Sequence, residues 1–179
     1  LLRQSKFEPA LAAFDAAKQR RLELLSDRHP EYLESLHNFG VALRRLDRVK
    51  EADAALQKAL SVRLDVLGAT HPDTLITRTI IVRQLIDKSA FDAAVTEATS
   101  VTSALTATLG ERDVRTIQAL SDLGTAQFTA GRISEGVETY KRAYRLASET
   151  LGKEAPEAMN VAHEYAGLLS KFGRYGEAL

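Results

Sequence analysis

The sequence predicts an all-α fold, an α-solenoid of antiparallel helix pairs, and three observations carry that prediction. The first is a period. Leu25, Leu67, Leu109 and Leu151 stand 42 residues apart, and a fixed period of roughly 20–50 residues marks stacked supersecondary units. The second is apolar spacing near 3.6 residues in both halves of each period, the signature of amphipathic helices. The third is a turn-forming residue between the halves, where a helix pair must reverse.

Four more columns keep the same register. Pro30, Pro72 and Pro156 share one, with Val114 in the remaining place. Ala52, Ala94, Gly136 and Ala178 form another, and Ala17, Ala59, Val101 and Ala143 a third. Val49, Phe91, Ile133 and Tyr175 make the last, which Phe7 extends backwards.

Taken in order, residues 1–25 read as the second helix of a first pair, with Phe7, Ala10, Phe14 and Ala17 in its columns. Full pairs are expected at 29–67, 71–109 and 113–151, and a partial one at 155–179. In the pair 113–151, Ile117, Leu120, Leu123, Gly124 and Phe128 keep helical spacing. Gly131 then interrupts it where a left-handed cap is wanted. Ile133, Val137, Tyr140, Ala143, Tyr144, Ala147 and Leu151 resume it, and Gly152 closes the pair. Asp47, Ser89 and Gly173 are the equivalents of Gly131, all residues that turns accept. A two-helix unit cannot bury its own apolar face, so each pair must stack on its neighbours. The phase of the repeat predicts a further helix on each side, and the chain reads as a piece of a longer protein.

The connectors raise a chemical question. LSDRHPEYL at 25 and LGATHPDTL at 67 place a histidine beside a proline, and LGERDVRTI at 109 and LGKEAPEAM at 151 echo them. His29 and His71 could be ligands or bases. Capping explains them more simply. A proline at the first helical position gives up an N–H that has no partner there in any case. The residue before it is driven into the extended conformation that an N-cap adopts. Asp113 takes the His71 place in the third connector and Ala155 in the fourth, a freedom that a catalytic histidine would not have. HPDT is therefore read as a cap and a restart.

Composition excludes several functions. Lys and Arg number 24, equal to Asp and Glu, so the net charge is zero, and nucleic acid and anionic membrane lose the basic excess that attracts them. There is no cysteine, hence no disulfide and no thiolate metal site. That suits a reducing compartment, and a cytoplasmic location is expected. No apolar run approaches the roughly 18 residues of a membrane span. No phosphate loop, dinucleotide fingerprint or nucleophile elbow is present. His37 and His163 share a column but lie three repeats apart, too far to share a metal ion. The serines and threonines of 96–108 read as a helix of weak propensity. No catalytic residue, cofactor or metal ligand is expected, and the chain is read as a non-enzyme.

The pattern Leu120, Leu123, Gly124, Gly136, Tyr140, Ala143, and again Leu36, Phe39, Gly40, Ala52, Leu56, Ala59, resembles the tetratricopeptide repeat (TPR) signature. Small residues at these places let paired helices approach closely, and bulkier ones would overpack at about 1–3 kcal/mol. The usual TPR period is about 34 residues. Eight more add about 12 Å of helix, which with the connector resembles the long variant of kinesin light chains and of many bacterial signalling proteins.

The resemblance implies that the first helix of each pair lines a concave groove for a peptide or protein segment. The residues it assigns there are His37, Asn38, Val41, Arg44 and Arg45, then Ile76, Ile80, Arg83 and Asp87, then Ser121, Asp122, Thr125 and His163. Arg44, Arg45 and Arg83 form a basic stretch, partly opposed by Glu34 and Asp87. Ile76, Ile80 and Ile86 put apolar groups where polar ones are expected. They are either exposed for a partner or repacked by a rotation of residues 75–86, since Arg78 stands where other repeats have a core leucine. Asn38 matches the asparagine that contacts peptide backbone in peptide-binding TPRs, or is a solvated polar residue. Ile80, Asp122 and Glu164 replace it elsewhere, a departure from a kinesin-type cargo clamp. The function expected is protein–protein interaction. Two other readings stand beside it: the sensor or regulatory region of a larger bacterial kinase or transcription factor, and a self-associating scaffold.

Overall fold

The computed structural model describes residues 4–173, with the side chains of residues 4–7 and of Ala10 outside the description. The expected columns at Phe7, Ala10, Tyr175 and Ala178 therefore lie outside the described residues. Among those that are described there are eight α-helices and no strand. They are α1 (Gln4–Leu24), α2 (Pro30–Arg45), α3 (Val49–Val66), α4 (Pro72–Asp87), α5 (Phe91–Leu109), α6 (Val114–Thr129), α7 (Ile133–Leu151) and α8 (Pro156–Lys171).

The helix boundaries follow from the connector chemistry. His29 Nδ1 accepts the Glu31 N–H at 3.3 Å, and His71 Nδ1 accepts the Asp73 N–H at 3.2 Å. Asp113 Oδ1 does the same for Arg115 at 2.9 Å, while Ala155 caps α8 with no side-chain bond. The histidines of the HP pairs are thus capping groups, as the sequence indicates. Reversals within the pairs are equally regular. Asp47, Ser89, Gly131 and Gly173 all have positive φ, from 59° to 78°. After each of the first three, the next N–H reaches back to close the helix: Arg48 to Leu43 O, Ala90 to Leu85 O and Arg132 to Gln127 O, at 3.0, 2.9 and 2.8 Å. These are the long bonds of Schellman ends.

The chain forms two compact units, Leu1–Ile80 and Ile81–Leu179, with the division inside α4. In the first unit α2 packs against both α1 and α3. Leu11, Leu43, Leu46 and Ala52 form one core cluster, and Tyr32, Leu33, Leu36, Ala55 and Ala59 another. Lys18 Nζ sits 3.9 Å above the Phe39 ring, a cation–π contact at the edge of that core.

In the second unit α6 packs against α5 and α7, and α7 against α8. Its core centres on Phe128, Tyr140 and Tyr165, all fully buried with Ile117 and Leu169. Phe128 meets Tyr140 edge-on at 6.0 Å, and Tyr140 stacks on Tyr165 at 5.3 Å. The small residues do what their columns suggest. A Cβ on Gly124 would lie 2.6 Å from Tyr140 Cδ2, one on Gly136 2.5 Å from Phe128 Cδ2, and one on Gly40 2.7 Å from Leu56 Cγ.

One repeated bond was not read from the sequence. Arg21 Nη1 donates to Glu31 O at 3.1 Å and to Ser35 Oγ at 2.6 Å. Forty-two residues on, Arg63 Nη1 donates to Asp73 O at 2.8 Å and to Thr77 Oγ1 at 2.6 Å. Each arginine staples the second helix of one pair to the first turns of the next. The column continues as Leu105 and Ala147, facing Ala119 and Val161, so in the second unit the same position is apolar. The spacing of Arg21 and Arg63, matched by Ser35 and Thr77, was the available signal.

Candidate functional site

The expected groove residues fall on α2 and the start of α4 in the first unit. They are not equally open. Arg45 is exposed, while Asn38, Val41 and Arg44 are half-buried. Ile76 and Ile80 are also half-buried, between the two alternatives for them. His37 is 8% exposed, because the first turns of α4 cover it: its Nδ1 lies 3.3 Å from Thr77 Oγ1. Burial and the nearby Arg63 guanidinium lower its pKa to about 4, against a smaller opposite pull from Asp73. A neutral ring is the form this site favours. Glu34, exposed on the same helix, lies 3.8 Å from Arg21.

In the second unit two of the expected residues are linked to each other, and two more to neighbours outside the expected set. Arg83 Nε donates to Asp122 Oδ1 at 2.7 Å, with Asp122 only 5% exposed. Burial alone would lower the Arg83 pKa, but the Asp122 carboxylate outweighs it and holds the guanidinium above its ordinary value. Ser121 Oγ donates to Glu164 Oε2 at 2.5 Å, and Thr125 Oγ1 is 2.6 Å from Tyr140 Oη. Burial pushes the Tyr140 hydroxyl up to about 12, helped by Glu164 and Asp122 and partly opposed by bonds to Thr125 and Ser121. Asp87, His163 and Glu164 are exposed. Ile86 is half-buried against the cluster of Val82, Val95 and Ala126.

The basic stretch expected from Arg44, Arg45 and Arg83 is thus altered, since Arg83 is already held by a carboxylate. Glu164 and Tyr140 join the second set. Tyr140 was legible only as a packing residue, because its hydroxyl partner lies on another helix. What the two faces offer is hydrogen-bonding and charged groups beside half-buried apolar ones. Among the described residues no group of three His, Asp or Glu side chains is placed to hold a metal ion, and no helix is long and apolar enough to cross a membrane.

The comparisons with known proteins agree with this geometry. A family model described as the tetratricopeptide repeat matches residues 1–65 and 115–179. Among solved structures, a putative kinesin light chain of Podosopora anserina with nearly identical TPR-like repeats is 22% identical with a TM-score of 0.75. The match covers 97% of this chain and 82% of that one. BtubC of P. vanneervenii is 15% identical with a TM-score of 0.78, over 99% of this chain and 71% of that one. MamA of Desulfovibrio magneticus RS-1 is 18% identical with a TM-score of 0.54, over 94% and 88%. At these identities the likeness is one of fold, and it bears out the helix-pair solenoid class and its kinesin-light-chain-like character. No curated protein matches the sequence.

Proposed function

Since this chain belongs to the tetratricopeptide repeat family, whose members generally mediate protein–protein interaction, we propose that it binds an extended peptide or protein segment along its first helices. The observation that supports this most is the set of polar groups on each unit. Arg45 is exposed and Asn38 and Val41 half-buried on α2, while His163 and Glu164 are exposed on α8 and Thr125 half-buried on α6. Backbone amides of an extended segment are matched by such side chains, and an alternating set of polar and apolar groups reads side chains two residues apart. Arg83 and Asp122 act in this reading as a fixed, self-neutralised pair, leaving recognition to their neighbours. The full repeats at 29–67, 71–109 and 113–151, and the partial ones at 1–25 and 155–179, are the recognition modules in this reading. Its setting is cytoplasmic, which the cysteine-free sequence supports, and it carries out no chemistry on its partner.

The test is a peptide selected from a random display library against the wild-type chain. Asn38→Ala with Arg45→Glu, and separately His163→Ala with Glu164→Gln, are expected to weaken that peptide roughly tenfold or more each. Far-ultraviolet circular dichroism melts should stay as in the wild type. Unchanged affinity in both double variants would remove the face assignment.

A further inference from the structure

The polar cluster around His37 lies beneath the binding face, and its geometry sets a requirement of its own. Three elements meet there: α2 supplies His37, α3 supplies Arg63 and α4 supplies Thr77 and Asp73. Arg63 is 4% exposed and Thr77 fully buried. The Thr77 hydroxyl donates to Asp73 O at 3.0 Å and accepts Arg63 Nη1 at 2.6 Å. Its second lone pair is then free for His37 Nδ1–H at 3.3 Å. A hydroxyl has one proton and two lone pairs, so this assignment satisfies all three contacts with a neutral imidazole.

A second proton, on Nε2, would leave these three bonds in place but would charge the ring. It would put an imidazolium beside a buried guanidinium whose bonds go to a carbonyl and a hydroxyl, not to a carboxylate. The charged groups that act on the ring are Arg63 from α3, which opposes protonation, and Asp73 from α4, which favours it less strongly. On α2 itself Glu34 is exposed and acts on Arg63.

We propose that His37, Thr77 and Arg63 form an acid-sensitive latch, which holds the first turns of α4 on α2 and α3 near neutral pH and releases them as the medium acidifies. The sign follows from linkage. The folded ring has its pKa lowered from 6.5 to about 4, so opening takes up a proton. The stabilisation is complete above the ordinary histidine value and is lost as pH falls from there toward the folded value. Asn38 and Val41 lie on the helix that the latch secures, so acid would loosen the binding face of the first unit. The proposal does not depend on what that face binds.

Hydrogen exchange read by mass spectrometry tests it. The ratio of exchange in residues 72–80 to that in 133–147 cancels the intrinsic effect of pH on the chemistry. In the wild type, opening of 72–80 should become roughly twentyfold easier between pH 7 and pH 5, the factor given by a ring that titrates near 6.5 when open and near 4 when closed. In His37→Gln, which keeps a donor for Thr77 and does not titrate, the ratio should be flat. A second arm needs no variant: the His37 ring followed by NMR in the wild type should titrate well below its ordinary value, at about 4. A ring titrating near its ordinary value in the folded chain, or the same pH dependence in His37→Gln, overturns the latch. Should His37→Gln not fold, the NMR titration decides alone.

Discussion

Gly124 sets the distance between α6 and α7. Any Cβ there would press on the ring of Tyr140 at 2.6 Å, and that ring is locked between Phe128 and Tyr165. Alanine normally gains about 1 kcal/mol over glycine inside a helix. Overpacking against an immobile ring costs about 1–3 kcal/mol and should win. Gly124→Ala is therefore expected to lower the urea midpoint, by more than Gly40→Ala, where a leucine side chain can turn aside. Equal midpoints would show that the tyrosine moves freely. These glycines were legible from their column, which holds Gly40, Gly124 and Ala166, although Val82 takes the same place in the repeat between. His37 was not. Its column placed it on the inner face with His163, yet the first is buried and the second exposed. A column reports the position within a repeat. What covers His37 is set by Arg63 and Thr77, whose identities the column of His37 does not carry.

Among the elements, the first helices of the pairs start with very unequal caps. α6 begins with a carboxylate bonded to the Arg115 N–H at 2.9 Å, and α8 begins with Ala155, whose side chain caps nothing. An N-cap side chain contributes about 1 kcal/mol. Asp113→Ala should cost about that much, and Ala155→Ser should gain about as much without crowding the core that Ala155 touches, both measured by thermal melts at neutral pH. A loss in the second variant would mean that the half-buried site cannot accept a hydroxyl. Boundaries of this kind were readable, since Pro, His, Asp and the residues of positive φ fix them locally. The packing of α4 was only half readable. Ile81 and Val82 are buried, but Ile76, Ile80 and Ile86 are neither free nor fully enclosed. Their burial is decided by neighbouring helices, and periodicity carries no information about that.

At the scale of the whole molecule, one backbone plan carries two kinds of contact between successive pairs. The first unit uses arginine staples at Arg21 and Arg63, and the second puts Leu105 and Ala147 in the same places. Replacing a buried polar contact by fitted apolar residues is often neutral or stabilising, whereas removing one partner leaves the other unsatisfied. Thr77→Ala alone should cost about 1–3 kcal/mol in urea denaturation. Arg63→Leu with Thr77→Ala, which copies Leu105 and Ala119, should cost less than Thr77→Ala does. A double variant weaker than the single would mean that the staple contributes stability no apolar pair can match. The period revealed the common plan at once, while the differences between copies had to await side-chain contacts.

The Arg83–Asp122 bond joins two different columns of successive copies: Arg83 shares a column with Val41 and Thr125, and Asp122 with Ile80 and Glu164. If segments 71–109 and 113–151 traded places, the repeat register would set the Asp122 place against Val41, and a carboxylate only 5% exposed would lose its guanidinium. Copies of one motif have thus diverged far enough that, at this junction, their order along the chain has a chemical consequence.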